Sequence, residues 1–290
     1  MNILTADTLL HCQNSLGESP VWCTEQQALF WIDIRQSSLH RLKDKIHSSY
    51  SLTDSVTAFA AATNGQFIAA TNTGFNSLAL TDEIAVQQSI QPFLENSNDF
   101  RMNDAALDRQ GRFWSGSIQA PPGNDDATGT LYRLQHNQHC AVLEGFCSQN
   151  GLAWSPDGRI MYVSDSHPST ASIWRYDFNI ETGTPTNKTL FADQSLLKGR
   201  PDGATVDTDG CYWIAASDVG QILRLTPAGE IDAIVNVPTK HVTNICFGGP
   251  QLKTMFITTQ RYLNPNEQAG NLFVLETDYQ GIAETAYRGR

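Results

Sequence analysis

Arg200 to Trp213 reads RPDGATVDTDGCYW, and this stretch decides the fold because it recurs. A polar anchor comes first, then a small residue, alternating apolar positions, a turn containing Gly, and an aromatic strand. The same order is found in NGLAWSPDGRIMY from Asn150 and in NDAALDRQGRFW from Asn103. Looser copies start at Glu18 (ESPVWCTEQQALFW), Thr57 (TAFAAATNGQF) and Thr243 (TNICFGGPQLKTMF). With Asp202 as the anchor of the first-quoted copy, the starts are 39, 46, 47, 52 and 41 residues apart. A small sheet of three or four strands cannot bury both faces alone, so a repeat of this length predicts sheets stacked around an axis. The expectation is an all-β, six-bladed β-propeller with four antiparallel strands per blade, forming a single domain over residues 1–290.

The strand order within a unit follows from the same alignment. An inner strand starts at each anchor, an aromatic second strand follows (Phe113 to Ser117, Tyr212 to Ala216), then a third strand and an irregular outer strand. Thr8 to Gln13 stands before Glu18 as the outer strands stand before the other anchors. It is therefore predicted to close the ring beside Asn271 to Leu275 and so remove an open sheet edge. Gly281 to Tyr287 is left over, to add to that edge or cover it.

The formal net charge is −11, with only 19 Lys and Arg, scattered along the chain. Phosphate backbones are bound by clustered positive charge, so nucleic acid is excluded as a partner. No run of 18 apolar residues occurs and the first residues lack a basic leader, which predicts a cytoplasmic protein without a membrane anchor. The 6 cysteines, at 12, 23, 140, 147, 211 and 246, show no paired spacing and are expected to be reduced. Nothing in the sequence calls for an obligate protein partner.

In a propeller the anchors form a ring about the axis: Glu18, Thr57, Asn103, Asn150, Asp202 and Thr243. Two carboxylates brought together without a neighbouring Lys or Arg at the same position raise each other's pKa unless a cation lies between them. Carboxylate and amide oxygens are hard donors that suit Ca²⁺, Mg²⁺, Mn²⁺ or Zn²⁺. A wet channel lined by polar residues is the plainer account of the same pattern.

Four segments resemble the signatures of the SMP-30/gluconolactonase/regucalcin family. They are Gly17-Glu18-Ser19-Pro20-Val21-Trp22, Arg101-Met102-Asn103-Asp104, Asn150-Gly151-Leu152-Ala153-Trp154-Ser155 and Pro201-Asp202-Gly203. The resemblance runs from about residue 14 to 275. It implies a six-bladed propeller that opens the ester of a sugar lactone with one divalent cation, Ca²⁺ as the first choice and Zn²⁺, Mn²⁺ or Mg²⁺ as alternatives. It makes Glu18, Asn150 and Asp202 the metal ligands, Arg101 and Asn103 the substrate contacts, and Asp202 also the catalytic base. Were Asp202 a ligand only, the base would be sought elsewhere, with Asp104 next in line. The sequence departs from animal regucalcins at Ala105 and Ala106, where they carry Gly and Lys, and at Pro121, where they carry Glu. Those departures bear on which lactone is taken. Other readings of the same ring are an arylesterase or organophosphate hydrolase, and a propeller that binds calcium without chemistry.

Several residues are set aside. His136, His139 and Cys140 fall in a turn between third and outer strands. Asp165 reads as a turn cap, with a role near substrate as the alternative. His167 and His241 lie near loop mouths without a partner spacing that would make either a base. Asp157-Gly158 and Asp209-Gly210 are hairpin turn signals.

Overall fold

The computed structural model describes residues 1–63, 65–81, 84–94, 99–120 and 126–289. Two short strands come first, β1 (Asn2–Thr5) and β2 (Asp7–Leu10). The first repeat gives β3 (Gly17–Cys23), β4 (Ala28–Asp33), β5 (Ser38–Lys43) and β6 (Ile46–Leu52), and the second gives β7 (Val56–Ala61), β8 (Phe67–Thr71), β9 (Gly74–Leu80) and β10 (Ile84–Pro92). Next come β11 (Phe100–Leu107), β12 (Phe113–Gln119), β13 (Gly129–Gln135) and β14 (Gln138–Phe146), then β15 (Gln149–Trp154), β16 (Ile160–Asp165), β17 (Ser172–Asn179) and β18 (Thr184–Ala192). A single helical turn, α1 (Gln194–Leu197), precedes β19 (Arg200–Val206), β20 (Tyr212–Ser217), β21 (Gln221–Leu225) and β22 (Ile231–Asn236). The last repeat contributes β23 (Val242–Gly248), β24 (Thr254–Thr259) and β25 (Leu272–Glu276).

The fold is all-β and propeller-like, but the expected six separate four-stranded blades are not what the strands form. Four sheets stand apart: three have four strands, and one has five because β1 adds in parallel to β22. The fifth sheet has eight strands in the order β3-β4-β5-β6-β10-β9-β8-β7. Its two halves join where β6 and β10 run parallel, pairing Ser51 with Ile84 and Leu52 with Ala85. Leu52 and Ala85 are buried in one apolar cluster with Phe30, Phe59 and Phe67. Burying that shared cluster draws the two outer edges close enough to exchange backbone hydrogen bonds, which repeat spacing does not encode. β2 pairs antiparallel with β25 through Asp7–Val274 and Thr8–Phe273, completing the sheet of β23 and β24.

The first strands of the repeats neighbour one another in a closed circle, β3 beside β7, then β11, β15, β19, β23 and β3 again. In two of the repeats the turn after this strand is pinned by a buried Asp. Asp108 Oδ2 accepts from Trp114 Nε1 at 2.9 Å and Arg112 Nε at 2.5 Å; Asp207 Oδ2 accepts from Trp213 Nε1 at 2.8 Å and Arg224 Nε at 2.7 Å. Both carboxylates are fully buried, so these charge-assisted bonds satisfy charges that would otherwise be costly inside the protein. In these two repeats the bonds tie the turn to the aromatic strand that follows it.

The segment after β25 does not extend a sheet. Gly281 N donates to Leu252 O at 2.8 Å, Thr285 Oγ1 to Asp108 O at 2.8 Å, and Tyr287 N to Ala61 O at 2.8 Å. Asp108 and Ala61 lie at the C-terminal ends of β11 and β7, so the segment crosses the ring at the end opposite the anchors. No described helix is long and apolar enough to cross a membrane. All 6 cysteines are free thiols.

Candidate active site

Every strand of the inner circle shifts register at its anchor. The shifts fall between Glu18 and Val21, Val56 and Ala58, Met102 and Ala105, Asn150 and Ala153, Pro201 and Ala204, and Val242 and Asn244. A bulge leaves a residue unpaired, bends the strand and re-aims its side chain. Here the bulges bring five of the six anchors to a common cleft, Thr243 being the exception. Glycines allow the close approach: Gly151, at φ +58°, lies where a Cβ would come within 2.6 Å of Ser164 Oγ and Tyr212 Oη, and a Cβ on Gly203 would lie 2.0 Å from Asn244 Cγ.

The anchors open on a cleft of about 140 Å³. Glu18, Arg101, Asn103, Asn150 and Asp202, all five of the residues assigned from the sequence, line it, as does Thr57. Thr243 does not; its hydroxyl donates to Gly17 O at 2.6 Å and lies 2.9 Å from Thr258 Oγ1. Ser148, Ser166, Arg200 and Asp104 complete the polar wall, and Leu16, Ile34, Tyr262 and Leu263 form an apolar mouth. Tyr262 is held there by Arg35, whose guanidinium lies 4.5 Å from the ring centre.

Arg101 Nη1 donates to Asn103 Oδ1 at 2.9 Å and to its neighbour's carbonyl, Met102 O, at 2.9 Å. Asn103 Nδ2 donates to Gln149 O at 2.8 Å and to Asn150 Oδ1 at 3.2 Å. Glu18 Oε2 accepts from Ser19 N at 2.9 Å and from Asn244 Nδ2 at 3.0 Å, and the same Asn244 amide lies 3.5 Å from Asp104 Oδ1. The Asp202 carboxylate accepts no side-chain or backbone donor among the described residues.

Burial first, and the nearby charge of Asp104 second, push the Glu18 carboxyl up to about 7. Burial likewise raises Asp104 to about 6, against the hydrogen bonds it accepts. Asp202 stands well above the ordinary carboxylate range, through burial and then the charge of Glu18, with Arg200 opposing. Arg101 is lowered by burial, which the attraction of Glu18 only partly offsets. Burial and one another's charge disfavour the ionised form of these carboxylates, and a divalent cation beside Glu18 and Asp202 would relieve that. The donors fit such an ion: hard oxygens from Glu18, Asp202 and the Asn150 amide, with the Asp202 carboxylate lacking any other partner. Among the described residues no three His, Cys, Asp or Glu side chains group closely enough to hold an ion by themselves.

Sequence reasoning missed Asn244. It sits one residue past the anchor Thr243, and only the bulge between Val242 and Asn244 brings it to Glu18 and Asp104. Asp104 and Asn244 also line a second, smaller cavity of about 80 Å³ behind the cleft, with Ala105 and Ala106. Ser166 was hidden inside an insertion, and Tyr262 and Leu263 belong to a loop whose conformation no motif announces. Asp165 is a turn cap: its carboxylate accepts from Cys147 N at 2.8 Å, Ser148 N at 2.9 Å and His167 N at 3.0 Å. His167 Nδ1 pairs with Ser169 Oγ at 2.7 Å, and His241 Nδ1 lies 3.2 Å from Asp218. His136 and His139 flank the β13–β14 turn, where His139 stacks on Phe93 at 4.0 Å, and Cys140 is exposed. Pro121 lies outside the described residues.

Residues 16–261 match the family model described as the SMP-30/Gluconolactonase/LRE-like region. The chain is 34% identical over 284 residues to a 6-deoxy-6-sulfogluconolactonase of Pseudomonas putida, covering 94% of this chain and 95% of that one. It is 30% identical to the regucalcin of Sus scrofa, covering 96% and 95%. A calcium-binding protein, regucalcin, from Agrobacterium tumefaciens superposes with a TM-score of 0.91 at 22% identity, over 99% of each chain, a likeness of fold. With its family signatures gathered on one bulged ring, the chain belongs to the SMP-30/gluconolactonase/LRE-like family.

Proposed function

We propose that this protein is a lactonase that hydrolyses the ester of a sugar lactone to the sugar acid, with one divalent cation held by Glu18, Asn150 and Asp202. The observation that carries the reading is the meeting of these three oxygen donors with Arg101 and Asn103 in one cleft. The similarity to a 6-deoxy-6-sulfogluconolactonase supports the substrate class. Ca²⁺ suits an all-oxygen donor set that includes a neutral amide. When bound, a divalent cation supplies Lewis acidity, which stabilises the negative charge that builds on the lactone carbonyl oxygen.

The chain's own residues do the remaining work. Arg101 spends only Nη1 on protein acceptors among the described residues, which leaves the rest of its guanidinium for substrate hydroxyls. Tyr262 and Leu263 offer an apolar wall to the C–H face of a sugar ring. Asp202, whose carboxylate accepts no described protein donor, takes a proton from the attacking water as the water oxygen adds to the carbonyl carbon. The ring C–O bond then breaks, and the proton held by Asp202 passes to the freed alkoxide, which leaves a hydroxyl and restores the carboxylate.

The test is hydrolysis of a panel of aldonolactones by protein stripped with chelator and by the same protein resupplied with Ca²⁺, Zn²⁺, Mn²⁺ or Mg²⁺. Activity should vanish on stripping and return with a metal. Undiminished hydrolysis by the stripped protein would refute the role of the cation, and no hydrolysis of any lactone under any metal would refute the activity.

A further inference from the structure

We propose that Ser166 is a positioning residue that fixes the Asn150 side-chain amide with Oδ1 toward the cation site. Asn150 Nδ2 donates to Ser166 Oγ at 2.6 Å, and Ser166 Oγ donates in turn to the carbonyl of Pro201, the residue before Asp202. Both side chains are buried, Asn150 at 7% and Ser166 at 5% exposure.

The direction of this chain of bonds is forced from both ends. Pro201 O can only accept, so the Ser166 hydroxyl gives its proton there and must accept from Asn150, which turns the Asn150 NH₂ to Ser166. At the other end Arg101 can only donate, which turns Asn103 Oδ1 to it, while Gln149 O can only accept, which turns Asn103 Nδ2 to Gln149 and Asn150. The two chains meet at Asn150 Oδ1, which takes one bond from Asn103 and keeps its second lone pair. A flipped Asn150 would set its NH₂ against the Asn103 NH₂ and leave the Ser166 hydroxyl oxygen without a donor.

Ser166 is itself held in place. Its backbone N donates to Ser148 O at 2.8 Å, and the adjacent Asp165 carboxylate clamps Cys147, Ser148 and His167. Groups that orient a ligand in this way typically contribute about 10 to 100-fold in metal affinity. The inference rests on the reading of Asn150 as a ligand, and the experiment separates the two.

Calorimetric titration of chelator-stripped protein with Ca²⁺ is compared for wild type, Ser166→Ala and Asn150→Ala. The Asn150 side-chain NH₂ is followed in the metal-free wild type and Ser166→Ala by NMR of ¹⁵N-labelled protein. Ser166→Ala should bind Ca²⁺ about 10 to 100-fold more weakly, and its Asn150 NH₂ protons should exchange faster with water. Wild-type affinity in Ser166→Ala, with weakened affinity in Asn150→Ala, overturns the proposal and leaves the ligand set standing. Wild-type affinity in Asn150→Ala removes Asn150 from the ligand set and the proposal with it. Weakened binding in Ser166→Ala with the Asn150 protons as protected as in wild type overturns it too, since Ser166 would then act through Pro201.

Discussion

Asp202 combines two demands that pull in opposite directions, since a ligand gives its electron pair to a cation and a base needs one for a proton. A carboxylate has two oxygens, and Asp202 spends neither on a described protein donor, so both demands can be met at once. Asp202→Asn keeps an oxygen ligand and removes the basic oxygen. Turnover at saturating metal should fall by about 10² to 10⁴-fold, while a cation still binds more weakly; near wild-type turnover would leave Asp202 a ligand only and turn attention to Asp104. Asn103→Ala should cost mainly kcat/KM, as loss of a substrate contact. Because Asn103 also donates to Asn150 Oδ1, the structure adds a modest loss of metal affinity, which titration of the variant checks. The anchors were legible in the sequence because they repeat with the period of the fold. Asn244 was not, because the repeat places Thr243 at the anchor and only the local bulge exchanges the two.

The bulges are the elements on which the site depends, and Gly203 shows how tightly. A methyl group there would collide with the Asn244 side chain, which holds both Glu18 and Asp104. Gly203→Ala should therefore fold but lose at least about tenfold in metal affinity, an effect comparable to removing an outer-shell partner of a ligand. Gly65→Ala is the control: at φ +72° with nothing within 4 Å of its Cβ, it should cost about 1 kcal/mol of stability and no affinity. A second element carries a pH dependence of its own. On β5 and β6, His40 and His47 stack with Trp31, and His40 Nδ1 lies 3.1 Å from His47 Nε2. Burial, and then the charge of His47, lower His40 to about 4. The unfolded chain then binds more protons than the folded one between about 6.5 and 4. Stability should be complete above pH 6.5 and decline as pH falls toward 4, by up to about 3 kcal/mol for this one group. Urea unfolding at pH 7.5 and 4.5 should show that slope in the wild type and a shallower one in His40→Asn; equal slopes would remove His40 as its source.

At the scale of the molecule, the repeat announced an all-β ring of stacked sheets, since the polar anchor, the glycine turn and the aromatic strand recur with it. How the outer edges meet was not legible. Outer strands face solvent on one side and carry irregular sequence, so the joining of β6 to β10 and the addition of β1 to β22 are settled by packing alone. The N-terminal segment is the clearest case: β1 lies on the five-stranded sheet and β2 on the next, with Ala6 buried between them at 1% exposure. Each of its ladder hydrogen bonds nets about 1 kcal/mol, and each residue it orders costs about 1 to 2 kcal/mol of backbone entropy. Those contributions oppose one another, so removal of residues 2–10 should move the melting temperature by only a few degrees. Its effect should appear elsewhere, because removal uncovers the outer edges of β22 and β25 as two adjacent rows of unpaired donors and acceptors. Edges of that kind recruit strands from other copies. The truncated protein should therefore self-associate with rising concentration in sedimentation velocity while the full chain does not. A truncated protein that stays monodisperse and melts far below the full chain would mean that the segment acts as a stabilising element and not as a cover.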